Sequence, residues 1–226
     1  MKTYKYQLHS HTYPCSHCSK MSPQELAKGL YDGGYDGCVI TNHFFNGNTG
    51  IDGDIPWQDF VKEYEQDYLL CKEAAGAYGI DVFFGVEEEV GDGLEVLFYG
   101  IEPEMLYAHP ELNSGKCEDW YRAVHGFGGL CIQAHPFRDR KSIKNPRVLP
   151  LEFIDGIEVY NAGNTREDNE KAAVAAKELH GLILINGADA HRPDSMCVAG
   201  IETAERITSR KQLVEILKSG NYKLIY

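Results

Sequence analysis

Positive charge is scarce in this chain: 22 Lys and Arg stand against 34 Asp and Glu in 226 residues, a formal net charge of -12. A surface of that sign does not neutralise a run of phosphates, so the sequence argues against long nucleic acid and for a small substrate. Long apolar runs are also missing. No stretch approaches the roughly 18 apolar residues of a membrane span. Met1-Lys2-Thr3-Tyr4-Lys5-Tyr6 has no signal-peptide core, so the expected place is cytoplasmic, with no membrane partner. Cysteine is sparse and odd in number: seven residues, including Cys38, Cys71 and Cys131 within apolar segments, read as reduced core residues and not as a disulfide framework. Cys15 and Cys18 form a CxxC around His17, but no second pair follows at zinc-ribbon spacing. Repeats, low-complexity tracts and linkers are absent, so residues 1–226 are expected to form one domain.

What is present is histidine in a pattern. His9, His11 and His17 fall within nine residues, at the end of the strand expected from Tyr4 to Leu8. Residues two apart on a strand share a face, so His9 and His11 present two imidazoles to one point, and His17 returns from the loop that follows. Ser22-Pro23-Gln24-Glu25 opens a helix with a capping box, and Gly33-Gly34 ends it. Gly37 to Thr41 reads as an apolar strand delivering Asn42-His43. A Gly- and Asn-rich loop, 44–53, is a candidate lid before a long helix from Trp57 to Tyr78. Asp81 to Val86 is a strand ending in Glu87-Glu88-Glu89, and Gly91-Asp92-Gly93 turns the chain into the next, Leu94 to Gly100. Later strands end in His135-Pro136-Phe137-Arg138, in Asn161 and in Asp189-Ala190-His191. The alternation of strands and helices predicts a parallel sheet, closed as a barrel, with catalytic groups at the carboxyl ends of its strands.

Taken together, His9-x-His11-Thr12 with His17, Thr41-Asn42-His43, Gly85-Val86-Glu87, Ala134-His135-Pro136, Ile157-Glu158-Val159-x-Asn161 and Ala188-Asp189-Ala190-His191 resemble the PHP (polymerase and histidinol phosphatase) family. The motifs run in the family's order over nearly the whole chain. The resemblance implies an α/β fold, a distorted, TIM-barrel-like (β/α)7 barrel. It also implies two or three divalent metal ions (zinc, manganese or iron) and hydrolysis of a small phosphorylated substrate. Carried over by position, one metal would take His9, His11, Glu87 and Asp189; a second would share Glu87 with His135; a third would take His17, His43 and His191. Imidazole and carboxylate suit these metals, and a bridging carboxylate holds two cations at two-metal spacing.

Two positions depart from the common pattern. His17 stands where many members carry Asp, and Glu95 stands where a histidine ligand of the second metal is usual. Glu95 is expected to reach that metal and, as a harder ligand, to shift preference from zinc toward manganese or iron. Asp189 and His191 are the expected catalytic pair, with Arg138, beside Arg140, gripping the phosphoryl oxygens. Glu158 and Asn161 read as supports behind the ligands, Tyr13 and Phe44 as pocket walls, and His109, His125 and His180 as residues outside the site. Two alternatives stand beside the phosphoesterase: a metal-dependent hydrolase of C–N bonds, and a metal-binding module without catalysis.

Overall fold

The computed structural model describes residues 2–226. Among them, nine strands form one sheet: β1 (Tyr4–Gln7), β2 (Gly37–Ile40), β3 (Asp81–Glu89), β4 (Glu95–Tyr99), β5 (Leu130–Gln133), β6 (Gly156–Asn161), β7 (Ile183–Gly187), β8 (Gly200–Thr203) and β9 (Tyr222–Ile225). Their order is β7-β6-β5-β4-β3-β2-β1-β8-β9. The helices are α1 (Pro23–Asp32), α2 (Trp57–Gly76), α3 (Pro103–Ala108), α4 (Cys117–Phe127), α5 (Arg166–Glu178) and α6 (Arg210–Ser219).

The sheet is mixed, where the alternation of elements predicted a parallel one. β1-β2, β2-β3, β5-β6 and β6-β7 pair in parallel, whereas β3-β4, β4-β5, β1-β8 and β8-β9 are antiparallel. The cause of the first reversal is local. Gly91, Asp92 and Gly93 all take positive φ and return the chain within a few residues, whereas a parallel connection needs a crossover of a dozen or more. β8, which the sequence reading did not foresee, pairs with β1 and β9, and β8 and β9 together bring the sheet to nine strands where the resemblance implied seven.

Past the named strands the sheet closes. Ser10 forms a parallel bridge with Ala190, the His11 amide donates to the Ala190 carbonyl at 2.9 Å, and the Ala190 amide donates to the His9 carbonyl at 3.2 Å. The segment after β1 thus joins the segment after β7, and a barrel-like sheet results. Below this seam, Tyr6, Leu8, Val39, Phe83, Leu97, Tyr99, Leu130, Ile132 and Ile185 form one apolar cluster with Leu213, Val214 and Leu217 of α6. These are alternate residues of β3, β4 and β5, and by the same alternation Glu87 and Glu95 lie on their side of the sheet. The opposite faces of these strands pack on α1, α2 and α4 through Leu26, Leu30, Phe60, Tyr64, Cys71 and Trp120.

Local sequence explains the helix starts. Ser22 accepts from the Glu25 amide while the Glu25 carboxylate accepts from the Ser22 amide, a complete capping box with Pro23 at the first turn. Thr165 and Asp168 repeat the arrangement at α5. Among the described residues no helix is long and apolar enough to cross a membrane.

Candidate metal centre

The carboxyl ends of five strands meet around Glu87. His9 and His11 follow β1, His43 follows β2, His135 follows β5, and Asp189 and His191 follow β7. Glu87 itself lies inside β3, which runs three residues further than its apolar portion, and it bridges in parallel to His43. Its Oε1 is 3.1 Å from His9 Nε2 and 3.2 Å from His135 Nε2; its Oε2 is 3.2 Å from His11 Nε2 and 3.0 Å from His43 Nδ1. Asp189 Oδ1 lies 3.5, 3.3 and 3.3 Å from His9 Nε2, His11 Nε2 and His191 Nδ1. Glu95 also joins this cluster, one oxygen 3.4 Å from His43 Nδ1 and the other 3.3 Å from His135 Nε2.

Of these approaches only His135 Nε2 to Glu87 Oε1 is an ordinary hydrogen bond. His9 Nε2, His11 Nε2, His43 Nδ1 and Glu87 Oε2 are all buried without a hydrogen-bond partner, although each has an oppositely polar atom within about 3 Å. Buried polar atoms left unpaired cost roughly 1–3 kcal/mol each, so four that converge on one point call for something between them. Four overlapping triads have donor atoms within 4.8 Å of one another: His9-His11-Asp189, His9-Glu87-His135, His43-Glu87-Glu95 and His11-His43-His191. Imidazole and carboxylate donors in such triads fit divalent cations.

The surrounding hydrogen bonds fix which nitrogen each ring offers. The Ser16 hydroxyl donates to Asn42 Oδ1 at 2.9 Å and therefore accepts from His11 Nδ1 at 3.0 Å. His9 Nδ1 donates to Glu158 Oε1 at 2.9 Å, and His191 Nδ1 donates to the Asp189 carbonyl at 2.8 Å. In all three rings Nδ1 is the donor, which leaves the Nε2 lone pair for a metal. Glu158 also accepts from the His135 amide at 3.0 Å and from Asn161 Nδ2 at 2.9 Å, so Glu158 and Asn161 are the supports the sequence suggested. A Cβ on Gly187 would sit 1.9 Å from Glu158 Oε1 and 2.8 Å from His9 Cβ; only glycine lets this pair form. Behind Asn42, Asp67 of α2 accepts from Asn42 Nδ2 at 2.8 Å and from the Thr12 hydroxyl at 2.5 Å.

Charge follows the same geometry. Burial opposes ionisation of Glu87, but His9, His43, His11 and His135 outweigh it and hold its carboxyl well below the usual range. Burial opposes protonation of His9, yet Glu158, Glu87 and Asp189 together raise it well above an ordinary histidine. Burial raises Glu95, and nearby Glu87 raises it further. His135 and Asp189, both non-glycine, take φ of +28° and +51°, backbone strain placed at the two strand ends that carry ligand candidates.

Arg138 is placed differently from expectation. Its Nη2 donates to Asp189 Oδ2 at 2.6 Å and to Asn161 Oδ1 at 2.7 Å, and its Nε donates to Asn164 Oδ1 at 2.7 Å. The residue is only 3% exposed, and of these three bonds one goes to Asp189 and two to asparagine side chains. Arg138 still reaches the wall of the cavity above the cluster, which measures about 520 Å³ and is also lined by His43, Glu89, Glu95, Arg140 and Ser142.

His17 is not brought to the cluster. It is exposed, its amide donates to the Asn48 carbonyl at 3.0 Å, and among the described residues it belongs to none of the ligand triads. Its neighbour Cys18, also exposed, borders the cavity instead, with Sγ 3.1 Å from His191 Nε2. Burial raises that thiol, but its contacts with the His191 and His43 rings more than reverse the effect and bring it down to about 6. Tyr13 is exposed, and Phe44 is buried against Trp57, Phe60, Tyr64 and Trp120, so neither lines the cavity. Loop 44–53 is pinned and not free: Asn46 donates to buried Glu88 at 3.1 Å, and the Gly50 amide donates to the Cys15 carbonyl at 2.8 Å. Cys18, Asp67 and the pairing of Arg138 with Asp189 escaped the sequence reading. The CxxC was the one available signal for Cys18.

No family model matches the chain. No curated protein matches it by sequence. Solved structures do match. A two-domain protein from Bacteroides vulgatus containing a predicted PHP-like metal-dependent phosphoesterase aligns over 100% of this chain at 16% identity and a TM-score of 0.69. This chain spans 65% of that protein's length. An amidohydrolase from Chromobacterium violaceum, with bound sulfate and no metal, aligns over 97% of both chains at 18% identity and a TM-score of 0.61. A lesion-specific endonuclease from Pyrococcus furiosus aligns over 99% of this chain and 58% of its own, at 14% identity and a TM-score of 0.67. At these identities the matches establish the fold: this chain has the barrel-like architecture of PHP-like phosphoesterases.

Proposed function

We propose that the chain is a metal-dependent phosphoesterase acting on a small phosphate ester, with two or three divalent cations held by His9, His11, His43, Glu87, Glu95, His135, Asp189 and His191. The observation that carries this reading is the set of buried, unpartnered imidazole and carboxylate atoms converging around Glu87. Divalent cations bound there would polarise a phosphoryl oxygen and lower the pKa of water, which is the chemistry a phosphate ester needs. The chain's own part is orientation. Glu87, facing four histidines, is the natural bridge; Glu158, Ser16 and the Asp189 carbonyl hold three rings with Nε2 forward; Arg138 holds Asp189. Arg140 and Ser142 line the cavity wall, where they would face a bound phosphoryl group, and a cavity of about 520 Å³ suits a metabolite-sized ligand.

The amidohydrolase neighbour keeps C–N bond hydrolysis as the competing reading. Against it stands Glu87, a carboxylate at the bridging position. The endonuclease neighbour raises nucleic acid as a substrate, and the net charge of -12 favours a short phosphorylated ligand over a long duplex. All seven cysteines are free, in keeping with a reducing, cytoplasmic setting. The test is hydrolysis of p-nitrophenyl phosphate with added manganese, zinc or iron, run beside a panel of amides and cyclic amides, and followed by a screen of phosphorylated metabolites for released phosphate. Metal-dependent release from phosphate esters alone is expected. Turnover of amides without phosphate release would overturn the reading.

A further inference from the structure

We propose that Cys18, and not His17, completes a metal site with His43 and His191, giving this chain one sulfur-containing site beside its nitrogen and oxygen sites. The inference rests on the metal-dependent reading above and specifies a ligand set within it.

Cys18 and His17 are adjacent and exposed, and the turn between Thr12 and Ser19 brings only the Cys18 side chain against a ligand candidate. The Ser16 amide donates to the Thr12 carbonyl at 2.8 Å and the Ser19 amide to the Ser16 carbonyl at 3.0 Å, which coils the segment. The Lys20 amide and the Ser19 hydroxyl then bind the His191 carbonyl at 2.9 and 3.2 Å, tying the end of the coil to the strand end that carries His191. The result is Sγ at 3.1 Å from His191 Nε2, the ring nitrogen left free because Nδ1 donates to Asp189. The His17 amide donates to the Asn48 carbonyl, and its exposed side chain joins none of the ligand triads among the described residues.

A second, independent feature marks the place as a cation site. His11, wholly buried, stacks on His191 with ring centroids 4.2 Å apart and lies 4.5 Å from His43. Its Nε2 has no hydrogen-bond partner, and His11, His43 and His191 place donor atoms within 4.8 Å of one another. Cys18, His43 and His191 all border the same cavity. A site of two imidazoles and one thiolate leaves room for a non-protein ligand, as catalytic zinc sites do, and the sulfur biases it toward zinc, iron or cobalt and away from manganese and magnesium. Glu87 and Glu95, by contrast, supply hard oxygen donors a few ångströms away, so the chain would hold unlike metals in neighbouring positions.

The test loads the purified, metal-stripped full chain with cobalt(II) and records both metal content and the near-ultraviolet absorption that a cobalt–thiolate bond produces. The wild type is expected to show that band, and Cys18→Ala to lose it together with about one cobalt per chain. Cys18→Asp is expected to recover the cobalt without the band, and His17→Ala to match the wild type in both. Thermal unfolding of each metal-free variant checks that the fold is kept. A wild type that binds two or three cobalt ions without the band, or a band that survives Cys18→Ala, would overturn the thiolate ligand and leave the metal-dependent reading standing. A wild type that binds no cobalt, manganese or zinc would instead remove the reading on which it rests.

Discussion

Among the described residues, two places bring histidine, carboxylate and further donor atoms within metal-binding distance, and they differ in burial and in hydrogen bonding. At the surface of α4, His125 Nε2 sits 2.9 Å from Asp155 Oδ2, with Cys131 nearby. At the barrel mouth, His9, His11, His43 and His135 surround Glu87 at 3.0–3.2 Å. The surface trio is satisfied without a cation: Asp155 accepts from His125 and from the Cys131 amide at 2.8 Å, and the His125 side chain remains 34% exposed to water. At the mouth the ligand candidates are largely buried, and His9 Nε2, His11 Nε2, His43 Nδ1 and Glu87 Oε2 have no hydrogen-bond partner. Distance alone therefore does not mark a metal site. Burial, lone pairs fixed by hydrogen bonds on the far side of each ring, and leftover valence do.

The sharpest way to break this contrast is at Glu87. Glu87→Gln keeps shape and removes the charge that four histidines face, so metal content should fall and phosphoesterase turnover should drop by more than about a hundredfold, beyond the loss typical of a damaged outer ligand shell. Elemental analysis alongside turnover checks it; full activity in this variant would put the centre elsewhere.

Next in size is Arg138→Ala. It leaves the buried carboxylate of Asp189 without its cation, an arrangement that costs about 3–5 kcal/mol. The metal-free variant should melt about 10 °C lower. Added zinc or manganese should recover more stability in the variant than in the wild type, because a bound cation takes over part of the role of Arg138. Equal recovery in the two would deny the guanidinium that role.

Glu88 sharpens the comparison from the same strand. It is as buried as Glu87 but faces Asn46, not histidines, and burial pushes its carboxyl up to about 8 despite the hydrogen bonds from Asn46. The folded state then holds this proton more tightly than the unfolded state. Its stabilising contribution is full below the usual glutamate pKa and is lost as pH rises toward 8. Glu88→Gln should therefore melt higher than the wild type at pH 9, by about 5 °C, with the gap closing by pH 5. Melting curves across that range decide it, and a gap that widened toward acid would reverse the assignment.

The smallest effect belongs to the surface trio. His125→Ala should change stability by less than about 0.5 kcal/mol and leave metal content and turnover untouched, since a half-exposed pair is screened by water. A lost metal ion in this variant would erase the distinction between the two places.

Strand ends carrying His, Asp and Glu were legible because β-strands alternate and barrel strands deliver their last residues to one rim. For that reason His9, His11, His43, Glu87, His135, Asp189 and His191 were nameable as a group before any contact was known. Glu95 was legible as well, since the turn Gly91-Asp92-Gly93 sets β4 directly against β3. His17 and Cys18 were not separable. Adjacent residues in a coiled loop diverge according to hydrogen bonds such as those to Asn48 and His191, which lie 31 and 173 positions away.

The sequence by itself determined the elements, the helix caps, the apolar faces and the donor residues offered at each strand end, because those depend on neighbours a few positions apart. Tertiary structure decided the mixed sheet of nine strands and the seam of Ser10 with Ala190, which brings Asp189 to His9 and His11. It also paired Arg138 with Asp189 at the cavity wall, and Glu158 with His9 across 149 residues. Those outcomes depend on which buried polar groups are left to satisfy one another once water is gone, and that is set only when distant segments meet.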